Sequence, residues 1–219
     1  MNSLREATAT FVLNTRWPRL MRLFGSLLLA LSLSACLSGI LPPVEQRPTF
    51  VLPEPKPVAS ARSLPGSLRV DDILAPAHLD TDAMVAIRPS GELQRVAGGR
   101  WSTRLPALLQ SHTAAALERA GSAEAVVLRA GVAQLRWRLS GELREFNIGA
   151  NGAVRLHSSW RLVCVNQAQS IAHTRLAFEQ APRGQDAASL AAAFAAVSER
   201  QAQALVIWLA SIPSNECPP

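Results

Sequence analysis

Alternation dominates the middle of the chain. Leu135, Trp137, Leu139 and Leu143 interleave with Arg136, Arg138, Ser140 and Glu142, and Val154, Leu156, Ser158, Trp160, Leu162 and Cys164 repeat with the same period. A period of two sets each apolar group on one face of a strand. Asn151-Gly152 between the two runs reads as a hairpin turn, and a third strand over 171–178, after the Asn166-Gln167 turn, completes a meander.

Upstream the pattern is shorter and mixed. Leu68-Arg69-Val70 opens the folded region, and residues 83–87 and 91–96 form a second hairpin across Pro89-Ser90-Gly91. Leu105, Leu108, Leu109, Ala116 and Leu117 then recur at helical spacing through Ala120, with Thr103 as N-cap, Pro106 in the first turn and Gly121 as the stop. After a short apolar run at 125–128 and the meander, a long amphipathic helix is predicted over 186–212. Leu190, Phe194, Val197, Gln201, Leu205, Trp208 and Ile212 form its stripe, while Glu199, Arg200 and Gln203 face water and Pro213 ends it. This order predicts an α+β fold over residues 67–219: a single domain with an antiparallel or mixed sheet and two helices packed on one face.

The N-terminal third does not fit that domain. Pro42, Pro43, Pro48, Pro53, Pro55, Pro57 and Pro65 make residues 36–66 an extended, semi-rigid tether, in which 49–52 is a β-prone island suited to an edge strand. Before it, Arg16, Arg19 and Arg22 flank an apolar run that is too short for the roughly 20 residues of a transmembrane helix. The run closes on Leu33-Ser34-Ala35-Cys36, which has the form of a lipobox: an aliphatic residue, two small residues and a cysteine that is acylated and becomes the new N-terminus. Residues 1–35 are therefore read as a lipoprotein signal peptide, with Met21 an alternative start, and Cys36 as the lipidation site. Leu37 stands where an aspartate would retain a lipoprotein in the inner membrane, so the expected location is the periplasmic face of the outer membrane.

This processing changes the charge and the cysteine count. The formal charge of +6 falls to about +3 once four arginines and one glutamate leave with the signal, too weak a bias for nucleic-acid binding. With Cys36 acylated, Cys164 and Cys217 remain in an oxidising compartment. Two arrangements fit them: a disulfide closing a loop of about 50 residues, or a buried thiol at Cys164 with a frayed tail at Cys217.

Candidate chemistry is sparse. His78, His112, His157 and His173 fall on different predicted elements without metal-ligand spacing, Asp71-Asp72 and Asp80/Asp82 read as solvated loop carboxylates, and Gly98-Gly99 lacks the lysine of a phosphate loop. No catalytic residue, metal or cofactor is expected beyond the covalent lipid on Cys36. What remains is a surface. Arg136, Arg138, Arg155 and Arg161 share the strand face opposite the tryptophans, a basic face for acidic protein or anionic headgroups, or simply solvated arginines. Trp101, at a strand-to-helix junction, is either a partner anchor or, more in keeping with its position, core filling.

The order of motifs resembles the ABC-type transport auxiliary lipoproteins, the paraquat-inducible protein C-like group. The likeness rests on Cys36 in its lipobox, the Pro-rich lead to Thr49-Phe50-Val51-Leu52, and Gly99-Arg100-Trp101-Ser102-Thr103-Arg104-Leu105-Pro106 before the first helix. It continues in Leu139-Ser140-Gly141-Glu142-Leu143-Arg144-Glu145-Phe146 and in the closing helix through Val206-Ile207-Trp208-Leu209. The chain departs from that pattern in having no tyrosine in its first strand, and the Cys164/Cys217 pair is not something the resemblance predicts. The resemblance implies a non-enzymatic outer-membrane lipoprotein, an oligomer in one form, that works with a mammalian-cell-entry (MCE) domain protein and a separate ABC permease and ATPase to move lipids or other hydrophobic molecules. The rival class is an outer-membrane assembly or scaffold lipoprotein of the lipopolysaccharide-assembly or Tol-associated kind.

Overall fold

The computed structural model describes residues 47–129 and 135–217, so the signal peptide, Cys36 and residues 36–46 of the tether lie outside the described residues. Among the described residues the order is β1 (Thr49–Phe50), β2 (Leu64–Val70), β3 (Ala83–Ile87), β4 (Leu93–Trp101), α1 (Leu105–Arg119), β5 (Ala123–Val127), β6 (Leu135–Ile148), β7 (Val154–Cys164), β8 (Gln169–Gln180) and α2 (Ala187–Ala210), then a 3-10 turn at Ser214–Glu216.

Strand β6 is the hub of one mixed sheet. One of its edges takes β7 antiparallel from Trp137 opposite Cys164 to Ile148 opposite Val154, and β8 continues antiparallel on β7. The other edge is shared. β2 runs parallel to the first half of β6, Leu74 bridges to Glu142, and β3 meets the far end where Ala86 faces Ile148. β5 lies parallel on β2, β4 antiparallel on β3, and β1 parallel on β4.

Period-two patterning drives this packing. Trp137, Leu139, Leu143 and Phe146 of β6 and Leu156, Trp160 and Leu162 of β7 are buried together with Leu105, Leu109 and Leu117 of α1 and Phe194, Val197, Leu205 and Leu209 of α2. Each such side chain contributes about 1.5–3 kcal/mol on leaving water. Gln201 sits on the buried stripe of α2 because Ser158 donates to its Oε1 at 2.7 Å, while the Trp160 indole N–H donates to Ser158 Oγ at 3.0 Å. Asp186 caps α2, accepting from the Ser189 N–H at 2.9 Å.

Two local expectations are corrected. The N-cap of α1 is Arg104, not Thr103, and it makes no side-chain cap; the freed Leu105 N–H instead donates to Thr81 O at 3.0 Å. The Pro-rich stretch is also shorter as a spacer than its composition suggests, since the compact unit begins at Arg47. Phe50, Leu52 and Val58 pack against the core, Glu54 pairs with Arg119 of α1, the Lys56 N–H donates to Glu199 of α2 at 3.2 Å, and Leu64-Pro65-Gly66 already belong to β2. Proline favours extended backbone, and apolar residues between the prolines give that backbone something to bury.

Candidate functional site

Both helices cover one face of the sheet and leave the other open. On the open face the odd-numbered side chains of β7 stand between those of β6 and β8, so charge there is set by three strands rather than one.

Carboxylates answer much of it. Asp71, just past β2, has a side chain 13% exposed and is held by Arg69 Nε at 2.7 Å, Arg138 NH2 at 2.7 Å and Ser140 Oγ at 2.9 Å. Burial is the largest single influence on its carboxyl and opposes ionisation, but the hydrogen bonds from Arg138, Ser140 and Arg69, with the Arg138 charge, outweigh it and hold the group below the ordinary aspartate value. Arg155 pairs with Glu179 of β8 at 3.3 Å, and Arg136 donates from Nε to the Cys217 carbonyl at 3.0 Å. Thus of the four arginines read as one basic face, Arg138 and Arg155 are matched by carboxylates and Arg136 holds the C-terminal tail. Of the four, only Arg161 has neither an ion pair nor a hydrogen bond among the described residues.

Arg161 is not alone. Ser140, Arg161 and His173 stand opposite one another as one cross-strand row, and Ser159 stands opposite Arg175 in the next. Arg161, His173 and Arg175 are exposed, with Ser140 and Ser159 half-buried between them. These residues and Leu74 line an open groove of about 530 Å³. Arg175 and Leu74 escaped the reading of the sequence, and His173 was read there only as one of four histidines on separate elements. The phase of β8 against β7 is what places Arg175 and His173 beside Arg161, and that phase depends on the bulge between Leu162 and Val163.

The other sequence candidates lie elsewhere. Trp101 is 2% exposed and packs edge-on against Phe194 with ring centroids 5.4 Å apart, so it fills the core and presents nothing to a partner. Cys164 at the end of β7 is joined to Cys217, with Cα atoms 5.4 Å apart, and the bond ties the C-terminal tail to the sheet. His112 is buried on α1 and His157 lies 3.4 Å from Glu145. Asp71 is no solvated loop carboxylate, and Asp80 and Asp82 pair with Arg104 and Arg100. Among the described residues no three His, Cys, Asp or Glu side chains gather as a metal site.

The geometry first defines a class: a small α+β domain whose helices seal one sheet face while the other stays open with a charged groove. The family model for the ABC-type transport auxiliary lipoprotein component matches residues 50–206, from β1 to near the end of α2, and the chain belongs to that family. A crystal structure of a Xanthomonas campestris protein of the DUF330 family shares the fold at TM-score 0.64 and 21% identity, covering 74% of this chain and 94% of its own. An uncharacterised protein of solved structure aligns at TM-score 0.61 and 15% identity, over 74% of this chain and 97% of its own. PelC from Paraburkholderia phytofirmans, a dodecamer, aligns at TM-score 0.41 and 15% identity, over 68% of this chain and 94% of its own. No curated protein matches the sequence. The family is one of lipoproteins, and among the described residues no helix is long and apolar enough to cross a membrane.

Proposed function

We propose that this chain is a non-enzymatic auxiliary component of an MCE-type ABC transport system, held by acylated Cys36 on the periplasmic face of the outer membrane, where it helps move lipids or other hydrophobic molecules between membranes. The observation that carries the reading is the extent of the family match, which takes in almost the whole folded domain rather than a fragment of it. The lipobox ending at Cys36 supplies the anchor, because two or more acyl chains hold a protein at a bilayer where one does not. The open sheet face supplies a surface for contact, and the ATPase, permease and MCE domain are separate chains.

Two experiments test this. Cys36→Ser is expected to leave an unlipidated precursor that no longer fractionates with the outer membrane; normal processing and fractionation would contradict the anchor. Deletion of the chain is expected to weaken detergent resistance and outer-membrane lipid asymmetry, and an unchanged envelope would contradict the transport role.

A further inference from the structure

Leu74 has the most exposed large apolar side chain among the described residues, at 71%, yet its backbone is fixed on both sides. Its N–H donates to Gly141 O at 2.9 Å and its carbonyl accepts from the Leu143 N–H at 2.7 Å. A leucine held rigidly in water forgoes about 1.5–3 kcal/mol of burial that contact with an apolar surface would return.

The same groove is lined by two unpaired arginines. Arg161 on β7 and Arg175 on β8 are diagonal neighbours across the strand pair, a relation that places such side chains about 7–8 Å apart at their bases. Neither makes an ion pair or hydrogen bond among the described residues. The carboxylate in the same groove, Glu142, is already engaged by Arg144 at 3.5 Å and by Ser159 Oγ at 3.5 Å. With Ser140 committed to Asp71 and Ser159 and Arg144 to Glu142, the groove offers two unpaired guanidinium groups and one fixed apolar side chain.

Those groups match one ligand chemistry. Guanidinium forks bind phosphate oxygens in pairs, and a leucine lining the same groove suits the first methylenes of an attached chain. The volume of about 530 Å³ falls among sites for single small molecules, typically about 300–1,000 Å³. We propose that the groove of Leu74, Arg161 and Arg175 binds the phosphodiester headgroup of an anionic phospholipid, with Leu74 against the proximal part of an acyl chain. The proposal deepens the lipid-transport reading and rests on it for the choice of an amphiphile.

The test is calorimetric titration of the full-length lipoprotein in nonionic detergent with dihexanoyl phosphatidylglycerol, dihexanoyl phosphatidylcholine and inorganic phosphate. Saturable binding of phosphatidylglycerol is expected, tighter than that of either other probe. The double variant Arg161→Gln/Arg175→Gln should weaken it about tenfold or more, Leu74→Ser should weaken it several-fold, and Arg88→Gln on the β3–β4 turn should leave it unchanged. Equal binding of phosphatidylcholine would overturn the anionic site, equal binding of phosphate would overturn the lipid assignment, and unaltered binding by the double variant would overturn the location. Unchanged thermal melting of the variants keeps those results independent of folding.

Affinity purification from membranes separates the two claims. Transport partners retained by the double variant while phosphatidylglycerol binding is lost supports the groove. Partners lost by that variant without any phosphatidylglycerol binding to the wild type would make the groove a protein-docking site and overturn the proposal. If the wild type recovers no transport partner, the transport reading fails, and the titration still decides the groove.

Discussion

Gly141 on β6 and Trp160 on β7 stand directly opposite one another, and a Cβ on Gly141 would lie 2.7 Å from Cζ3 of the indole. The ring cannot simply swing aside. Its N–H is committed to Ser158, which is itself bonded to Gln201 of α2, so the glycine, the tryptophan and the helix form one packed unit. Gly141→Ala is expected to destabilise the protein by about 1–3 kcal/mol, read as a lower urea midpoint. In a Trp160→Leu background the same change should cost about 0.5 kcal/mol or less, because the overlapping atoms are gone. Equal costs in both backgrounds would contradict this packing.

Asp71 gives the fold an acid-sensitive joint between β2 and β6. Its carboxyl titrates below the unfolded value, so its contribution is present above the unfolded pKa and is lost as pH falls through the folded one. Asp71→Asn should cost about 1–3 kcal/mol at neutral pH by leaving Arg69 and Arg138 without their acceptor. In thermal melts the gap between variant and wild type should close as pH drops below about 4. A gap independent of pH would contradict an ionised Asp71.

His112 acts in a different window. Burial between the helices lowers its pKa, and Glu199 only partly offsets that, so the unfolded chain takes up the proton first. Stability should fall as pH drops from about 6.5 toward the lower folded value. His112→Leu should remove this slope while leaving the acid loss from Asp71 in place. A wild-type slope that survives the substitution would assign it to another group.

Labelling of free thiols reads the C-terminal bond. The mature protein should show no reactive thiol at Cys164 or Cys217 until reductant is added, and Cys164→Ser/Cys217→Ser should lose about 2–5 kcal/mol. Two reactive thiols without reductant would contradict the bond.

Much of this was legible along the chain, and the exceptions share a cause. The inward faces of β6 and β7 follow from Trp137, Leu139, Leu156 and Leu162, since burial is written in a period of two. The parallel pairings of β2 with β5 and β6 are not, because α1 and the intervening strands bring together segments whose own patterns say nothing about neighbours. Arg161 was visible as a charge on the open face. That Arg138 and Arg155 are neutralised while Arg161 is not depends on Asp71 and Glu179, which arrive from other strands. Residues 49–52 were legible as an edge strand, but the docking of Val58 was not, because proline content is local and docking is not.

The central claim is tested most directly by affinity purification of the intact, acylated lipoprotein from membranes, with the recovered proteins identified by mass spectrometry. The account predicts an MCE-domain protein together with the permease and ATPase of one ABC system. Recovery of none of these, or only of lipopolysaccharide-assembly or Tol components, would contradict it.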